Sequence, residues 1–144
     1  MNTAQIMEES VEKFGKYVAL VFKDRELTNV EINRLANRMG NVLKSLGVKR
    51  GDKVIMQMPN CPEVIVGFQA IAKIGAVVVP ISFLIGLEET AYIYRDSGAV
   101  LVMTSSEFLD KVEKARSKAS TVEKVILTDK EVPGTYYLPK LMED

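Results

Sequence analysis

The sequence predicts an open α/β fold, a mainly parallel sheet of about five strands with helices on both faces. Three observations predict it. Short runs of β-branched and aliphatic residues alternate with segments of helical apolar periodicity. The stretches between strands are long enough for the crossovers that parallel pairing requires. The run Val77-Val78-Val79 is apolar without alternation, as in strands covered on both faces.

Taken in order, Val18 to Phe22 (VALVF) is the first strand, followed by the charged turn Lys23-Asp24-Arg25-Glu26. Thr28 and Glu31 stand in a T-x-x-E relation. There the threonine oxygen accepts from a free amide of the first helical turn and the glutamate reaches back, so a helix begins here. Ile32, Leu35, Ala36, Met39, Val42, Leu43 and Leu46 step by three or four into one apolar stripe, and Gly47 supplies the left-handed stop. The second strand, Val54 to Met58, is closed by Pro59 and Pro62, which hold Asn60 and Cys61 in a constrained turn. A helix over about residues 62–74 is apolar on nearly every side and therefore buried. Gly75 ends it, and Val77 to Val79 form the third strand with Pro80 at its end.

A helix from Leu87 to Ser97 follows, with Glu88 and Glu89 at its positive end and Gly98 at its exit. Val100 to Met103 is the fourth strand. Ser105 or Ser106 caps the next helix, in which Phe108, Val112, Ala115 and Ala119 share a face. Glu107 with Lys111, and Asp110 with Lys114, form i,i+4 pairs on its exposed side. Val125 to Leu127 is the fifth strand, and residues 129–144, with Pro133, Gly134 and Pro139, read as an irregular tail. The chain is thus read as a single α/β domain over residues 1–144.

Composition narrows the functions. A chain of 144 residues buries roughly 68–70% of the surface it exposes when unfolded, enough for one core. Nineteen basic residues balance nineteen acidic ones and are scattered, so the electrostatic footprint of a nucleic-acid binder is missing. The single cysteine precludes an intramolecular disulfide, and the acidic N-terminus lacks the basic-then-apolar pattern of a leader, which reads as cytoplasmic. Without histidine there is no Ser-His-Asp or Cys-His nucleophile system and no His-ligated metal. Neither a GxxxxGK[ST] loop nor a GxGxxG fingerprint occurs. Residues 64–87 are long enough to cross about 30 Å of hydrocarbon. Lys73 in their midst would cost about 2.5–3.5 kcal/mol, and Gly75 and Pro80 break the run, so no membrane span is expected.

Ligands on open α/β sheets sit outside the carboxyl ends of the strands, which points at the loops after Met58, Pro80 and Thr104. No residue there rises to a catalytic, cofactor-binding or metal-binding assignment. Cys61 has no activating histidine and an acidic neighbour, Glu63, and reads as inert. Asn60 reads as a turn residue. Tyr92, Tyr94, Tyr136 and Tyr137 read as packing residues with wet hydroxyls. Lys49, Arg50 and Lys53 read as a solvated basic turn.

The letters of several segments, in order, resemble the N-terminal part of adenylate-forming, AMP-binding acyl-CoA synthetases. Thr28, Glu31, Ile32, Ala36, Leu43 and Gly47 are similar to the family's T-Y-x-E-L helix and its exit, and Gly51-Asp52-Lys53-Val54 to its G-D-x-V turn. Pro59-Asn60, Pro62-Glu63, Lys73, Gly75-Ala76 and Pro80 follow its N-x-P-E and K-x-G-A-V-x-V-P pattern. Glu89, Tyr92, Asp96, Ser97, Gly98 and Ala99 follow its E-x-x-Y-x-x-x-D-S-G-A segment. The likeness is strong from about Val18 to Thr104 and weak to Thr128. Asn29 stands where the family usually has Tyr, and Ser82-Phe83-Leu84 departs from its N-P-x.

The resemblance implies part of the family's large N-terminal domain and an enzyme that makes acyl-CoA thioesters from a fatty or other hydrophobic acid. ATP, Mg and coenzyme A are its cofactors. The family's T-S-G-T-T-G-x-P-K-G loop, Y-G-x-T-E segment, ribose-binding aspartate and C-terminal lysine would all lie beyond Asp144. The expectation is a scaffold fragment, silent by itself, whose partner is the remainder of a synthetase or a second copy. The alternative is a stand-alone α/β module that binds a partner or regulates a full-length relative.

Overall fold

The computed structural model describes residues 2–143, which form two compact units. One comprises the chain up to Arg50 together with Asn60–Ala76, and the other Gly51–Pro59 with the chain from Val77 onward.

In the first unit, helix α1 (Thr3–Phe14) opens on a capping box. Asn2 Oδ1 accepts from Ala4 N at 3.0 Å, and Asn2 N donates to Gln5 Oε1 at 2.8 Å. No helix is assigned here from the sequence, although Ala4, Met7, Val11 and Phe14 step by three or four between the Asn2–Gln5 box and Gly15; in the structure Ala4 is buried and Met7 and Val11 are half-buried. Strands β1 (Val18–Phe22) and β2 (Arg25–Thr28) pair antiparallel around a turn in which Lys23 takes φ 54°. The first predicted strand therefore belongs to a separate two-stranded sheet. Its partner RELT lacks apolar alternation, which is why the hairpin is not apparent in the sequence. Helix α2 (Asn29–Ser45) starts as expected: Thr28 Oγ1 accepts from Glu31 N at 3.2 Å, and Glu31 Oε2 accepts from Thr28 N at 2.8 Å. Thr28 N and, at 2.7 Å, Thr28 Oγ1 both donate to Glu31 Oε2, and these two bonds hold the Glu31 carboxyl below its ordinary range. Ile32, Ala36, Met39 and Leu43 bury the predicted stripe against helix α3 (Pro62–Lys73). Gly40 permits that approach, since a Cβ there would lie 3.2 Å from Ile74 Cγ2. Burial of each large side chain contributes about 1.5–3 kcal/mol.

The second unit is a five-stranded parallel sheet in the order β4-β3-β5-β6-β7. Its strands are β3 (Lys53–Gln57), β4 (Val77–Pro80), β5 (Leu101–Thr104), β6 (Lys124–Leu127) and β7 (Tyr136–Tyr137). The register sets Ile55 beside Val79 and Val102, and Val102 beside Val125. Those residues, with Leu127, form one core with Tyr94 and Ala91 of α4 (Leu87–Ser97) and Val112 and Ala115 of α5 (Leu109–Ser117). The alternate residues Val54, Met56, Leu101, Met103 and Ile126 are buried as well, as expected for strands covered on both faces. Gly98 closes α4 at φ 61°, ψ 29°, the left-handed stop its position predicts.

The sheet has five strands as predicted, but the fifth is Tyr136–Tyr137, within the segment read as an irregular tail. Two residues are too few to show a period, and β7 is defined by pairing with β6 at Ile126 and Leu127. A short helix, α6 (Leu138–Leu141), follows it. The helix after β5 is preceded by a single 3-10 turn, Ser106–Phe108, and neither Ser105 nor Ser106 caps it. Ser105 makes no capping bond, and the Ser106 hydroxyl donates to Asp129 Oδ2 at 2.7 Å. Asp110 and Lys114 pair as predicted at 2.8 Å, whereas Lys111 turns away from Glu107 to two backbone carbonyls. Among the described residues no helix is long and apolar enough to cross a membrane.

Candidate functional site at the carboxyl edge of the sheet

Parallel strands deliver their last residues to one edge, and in the second unit that edge is polar. Gln57 ends β3 on the face shared with Ile55 and is fully buried. Its Nε2 donates to Thr90 Oγ1 at 3.3 Å and to the Ser82 carbonyl at 3.5 Å, while its Oε1 accepts from the Tyr94 hydroxyl at 2.7 Å. Thr90 in turn donates to the Gly86 carbonyl at 2.8 Å, and Thr104 Oγ1 donates to the Gln57 carbonyl at 2.7 Å. Burial, with the charge of Glu113 second, pushes the Tyr94 phenol well above its ordinary range, so it stays a neutral donor. The network satisfies a buried amide that would otherwise cost about 1–3 kcal/mol.

The loops beyond this network are tied to one another. Lys111 Nζ donates to the Phe83 carbonyl and, at 2.9 Å, to the Ile85 carbonyl. The rings of Phe83 and Phe108 lie 5.0 Å apart, and the Lys111 ammonium sits 5.7 Å from the Phe108 centroid. Asp129 accepts from both the amide and the hydroxyl of Ser106, at 2.8 and 2.7 Å. Ser105 Oγ is buried and without a hydrogen-bond partner.

The donors at this edge bond chiefly to the fold itself. The Lys111 ammonium is committed to loop carbonyls, and the polar groups of Gln57, Thr90, Tyr94 and Thr104 bond one another or nearby backbone. Ser105 Oγ is the exception at this edge, buried and uncommitted. The described residues also contain no group of three or more His, Cys, Asp or Glu that could hold a metal ion. What the arrangement does chemically is fix the loops at the strand ends.

The residues weighed in the sequence fall as follows. Asn60 is exposed. Cys61 precedes α3 as its N-cap residue without a side-chain capping bond, and burial, then Glu63, pushes its thiol up to about 11. Lys49, Arg50 and Lys53 are exposed, with the stem of Arg50 against Gly75. Tyr92 is exposed, and Tyr136 and Tyr137 are half-buried. Tyr94 differs from expectation, since its hydroxyl is dry and bonded. Gln57, Thr90 and Asp129 carry the edge and were not singled out by sequence, and Lys111, which joins them, was read only as the partner of Glu107. The available signal was Gln57 itself, a lone amide in the strand VIMQM that burial obliges to find a partner.

A sequence model of the family described as AMP-binding enzyme matches residues 7–140, further at both ends than the motifs reach. The crotonobetaine/carnitine–CoA ligase of Salmonella paratyphi A is 33% identical over 139 residues, covering 92% of this chain and 27% of that protein. The solved structure of the anthranilate CoA ligase AuaEII in complex with anthranoyl-AMP matches at a TM-score of 0.93 and 29% identity, over 99% of this chain and 28% of that one. The N-terminal domain of FACL13 from Mycobacterium tuberculosis matches at a TM-score of 0.87 and 29% identity, over 99% of this chain and 36% of that one. The chain thus spans about a quarter of the length of the curated relatives it matches.

Proposed function

Because the chain belongs to the AMP-binding enzyme family, as part of the N-terminal domain of its acyl-CoA ligases, we propose that it serves as scaffold for an ATP-dependent acid–CoA ligase. By itself it forms no acyl-adenylate. The observation that carries this reading is the carboxyl edge, where the polar side chains spend their hydrogen bonds on the fold. The acid is fatty or otherwise hydrophobic, a reading supported by the anthranilate ligase among the solved relatives. Crotonobetaine and carnitine, in the printed name of the sequence relative, are the polar alternatives to test beside it. The partner is the remainder of a synthetase. The length supports this, since the chain covers 27% of the Salmonella ligase.

A chimera tests the reading. The chain replaces the matching quarter of the Salmonella ligase, and ATP–pyrophosphate exchange is measured with decanoate, benzoate, anthranilate, crotonobetaine and carnitine. The expected outcome is exchange by the folded chimera with at least one acid and none by the chain alone. A folded chimera inactive with every acid contradicts the scaffold role, and exchange by the isolated chain contradicts its silence.

A further inference from the structure

In the first unit, helix α1 is attached differently from the helices beside it. Ala4, 3% exposed, is its only buried residue, whereas Phe14 is 74% exposed. A helix of this length is marginal alone and takes its stability from tertiary packing. Here Ala4 with the half-buried Met7 and Val11 supplies the apolar packing, and three polar tethers add to it. Asn2 Nδ2 donates to the Ala72 carbonyl in the last turn of α3 at 2.5 Å, Glu8 pairs with Lys73, and Ser10 Oγ bonds the Tyr17 hydroxyl at 2.7 Å. Beneath α1 lies a cleft of about 510 Å³ lined by Gln5 and Glu8 of α1, Asn37, Asn41 and Lys44 of α2, and Lys73 of α3. Most of its lining is polar, so water can enter it.

We propose that α1 is a strap that opens as its own unit while α2 and α3 stay folded, with the Glu8–Lys73 pair as its principal tether. The Lys73 side chain is 10% exposed and Glu8 51% exposed, so opening wets an ammonium that the closed strap keeps nearly dry. Water then replaces both the Glu8 carboxylate and the Asn2 amide on the end of α3. The cleft residues Ala36, Gly40 and Ile74 then lose the cover of α1. Segments with few buried apolar contacts are the ones that open at the low end of a protein's stability range.

Hydrogen exchange on the whole chain tests this. Amides of α1 are expected to exchange at least about 100-fold faster than those of Met39–Leu43, after correction for intrinsic rates. Glu8→Gln accelerates α1 by about 2–5-fold, the factor that the loss of one half-exposed ion pair produces, and leaves α2 unchanged. Raised salt moves α1 in the same direction. Exchange of α1 in step with α2, or indifference of α1 to both Glu8→Gln and salt, overturns the proposal.

Discussion

Gln57 illustrates how a single polar side chain shapes this molecule. Its amide is fully buried at the end of β3, and the Tyr94 hydroxyl 2.7 Å away satisfies its carbonyl oxygen. Tyr94→Phe removes that donor and leaves the oxygen dry and unpaired, so a loss of about 1–3 kcal/mol is expected from urea unfolding. An unchanged midpoint contradicts the network. Adding Gln57→Met removes the orphaned acceptor as well, and part of the loss returns. Cys61 gives a second prediction at this scale. With its thiol pushed up to about 11, only about a thousandth is thiolate at pH 8. Labelling of the native chain by a disulfide reagent is expected to rise about tenfold per pH unit from pH 8 to 10, and to lag the urea-unfolded chain throughout. Because the folded thiol holds its proton more tightly, the stability this confers is present below the unfolded thiol's range and is lost as pH climbs toward 11. Equal labelling of native and unfolded chain at pH 8 contradicts the burial argument. Asn29 shows what a motif conceals. The sequence marks it only as a departure from the family's tyrosine. In the structure its buried side chain accepts from Tyr17 N at 3.0 Å and donates to the Gly15 carbonyl at 2.8 Å, fixing the chain between α1 and β1.

Among the secondary-structure elements, those with both a start signal and an apolar period were legible in the sequence. Thr28 and Glu31 announce α2, Pro62 and Gly75 bracket α3, and Gly98 ends α4. Helix α1 was missed although Asn2 and Gln5 start it and Ala4, Met7, Val11 and Phe14 give it a period, because three glutamates in the same stretch were read only as the mark of a segment that is no leader. The hairpin was read as one strand because RELT carries no alternation, and β7 escaped because two residues have no period. The capping role expected of Ser105 or Ser106 failed for a tertiary reason, since Asp129, 23 positions away, takes both the amide and the hydroxyl of Ser106. Loop 82–86 likewise depends on a distant side chain, Lys111. Lys111→Met is expected to free that loop and speed proteolysis beside Leu84, which is 80% exposed, by about tenfold, with the rest of the chain still folded. Cleavage at the native rate indicates that the Phe83–Phe108 contact suffices.

For the whole molecule, the family was legible because its letters are folding instructions: a capping box, turn glycines, prolines at strand ends. Those residues act through local backbone geometry, which a sequence displays directly. The carboxyl edge was far less legible, since Gln57 meets Thr90, Tyr94 and the Ser82 carbonyl only after the strands and α4 are assembled. The sequence pointed to the loops after Met58, Pro80 and Thr104 as the place for a ligand, and in the structure hydrogen bonds tie the loops after Pro80 and Thr104 to neighbouring elements. With nineteen charges of each sign, no net charge draws an anion to the molecule. The central claim is that this chain carries the family's fold while its own carboxyl edge takes no nucleotide. Titration with ATP and Mg²⁺, followed through the amide resonances of residues 81–86 and 105–108, tests it most directly. The account predicts no saturable shift of those amides up to millimolar ATP, whereas saturable shifts with a Kd below ~1 mM, about −4 kcal/mol of binding, would contradict it.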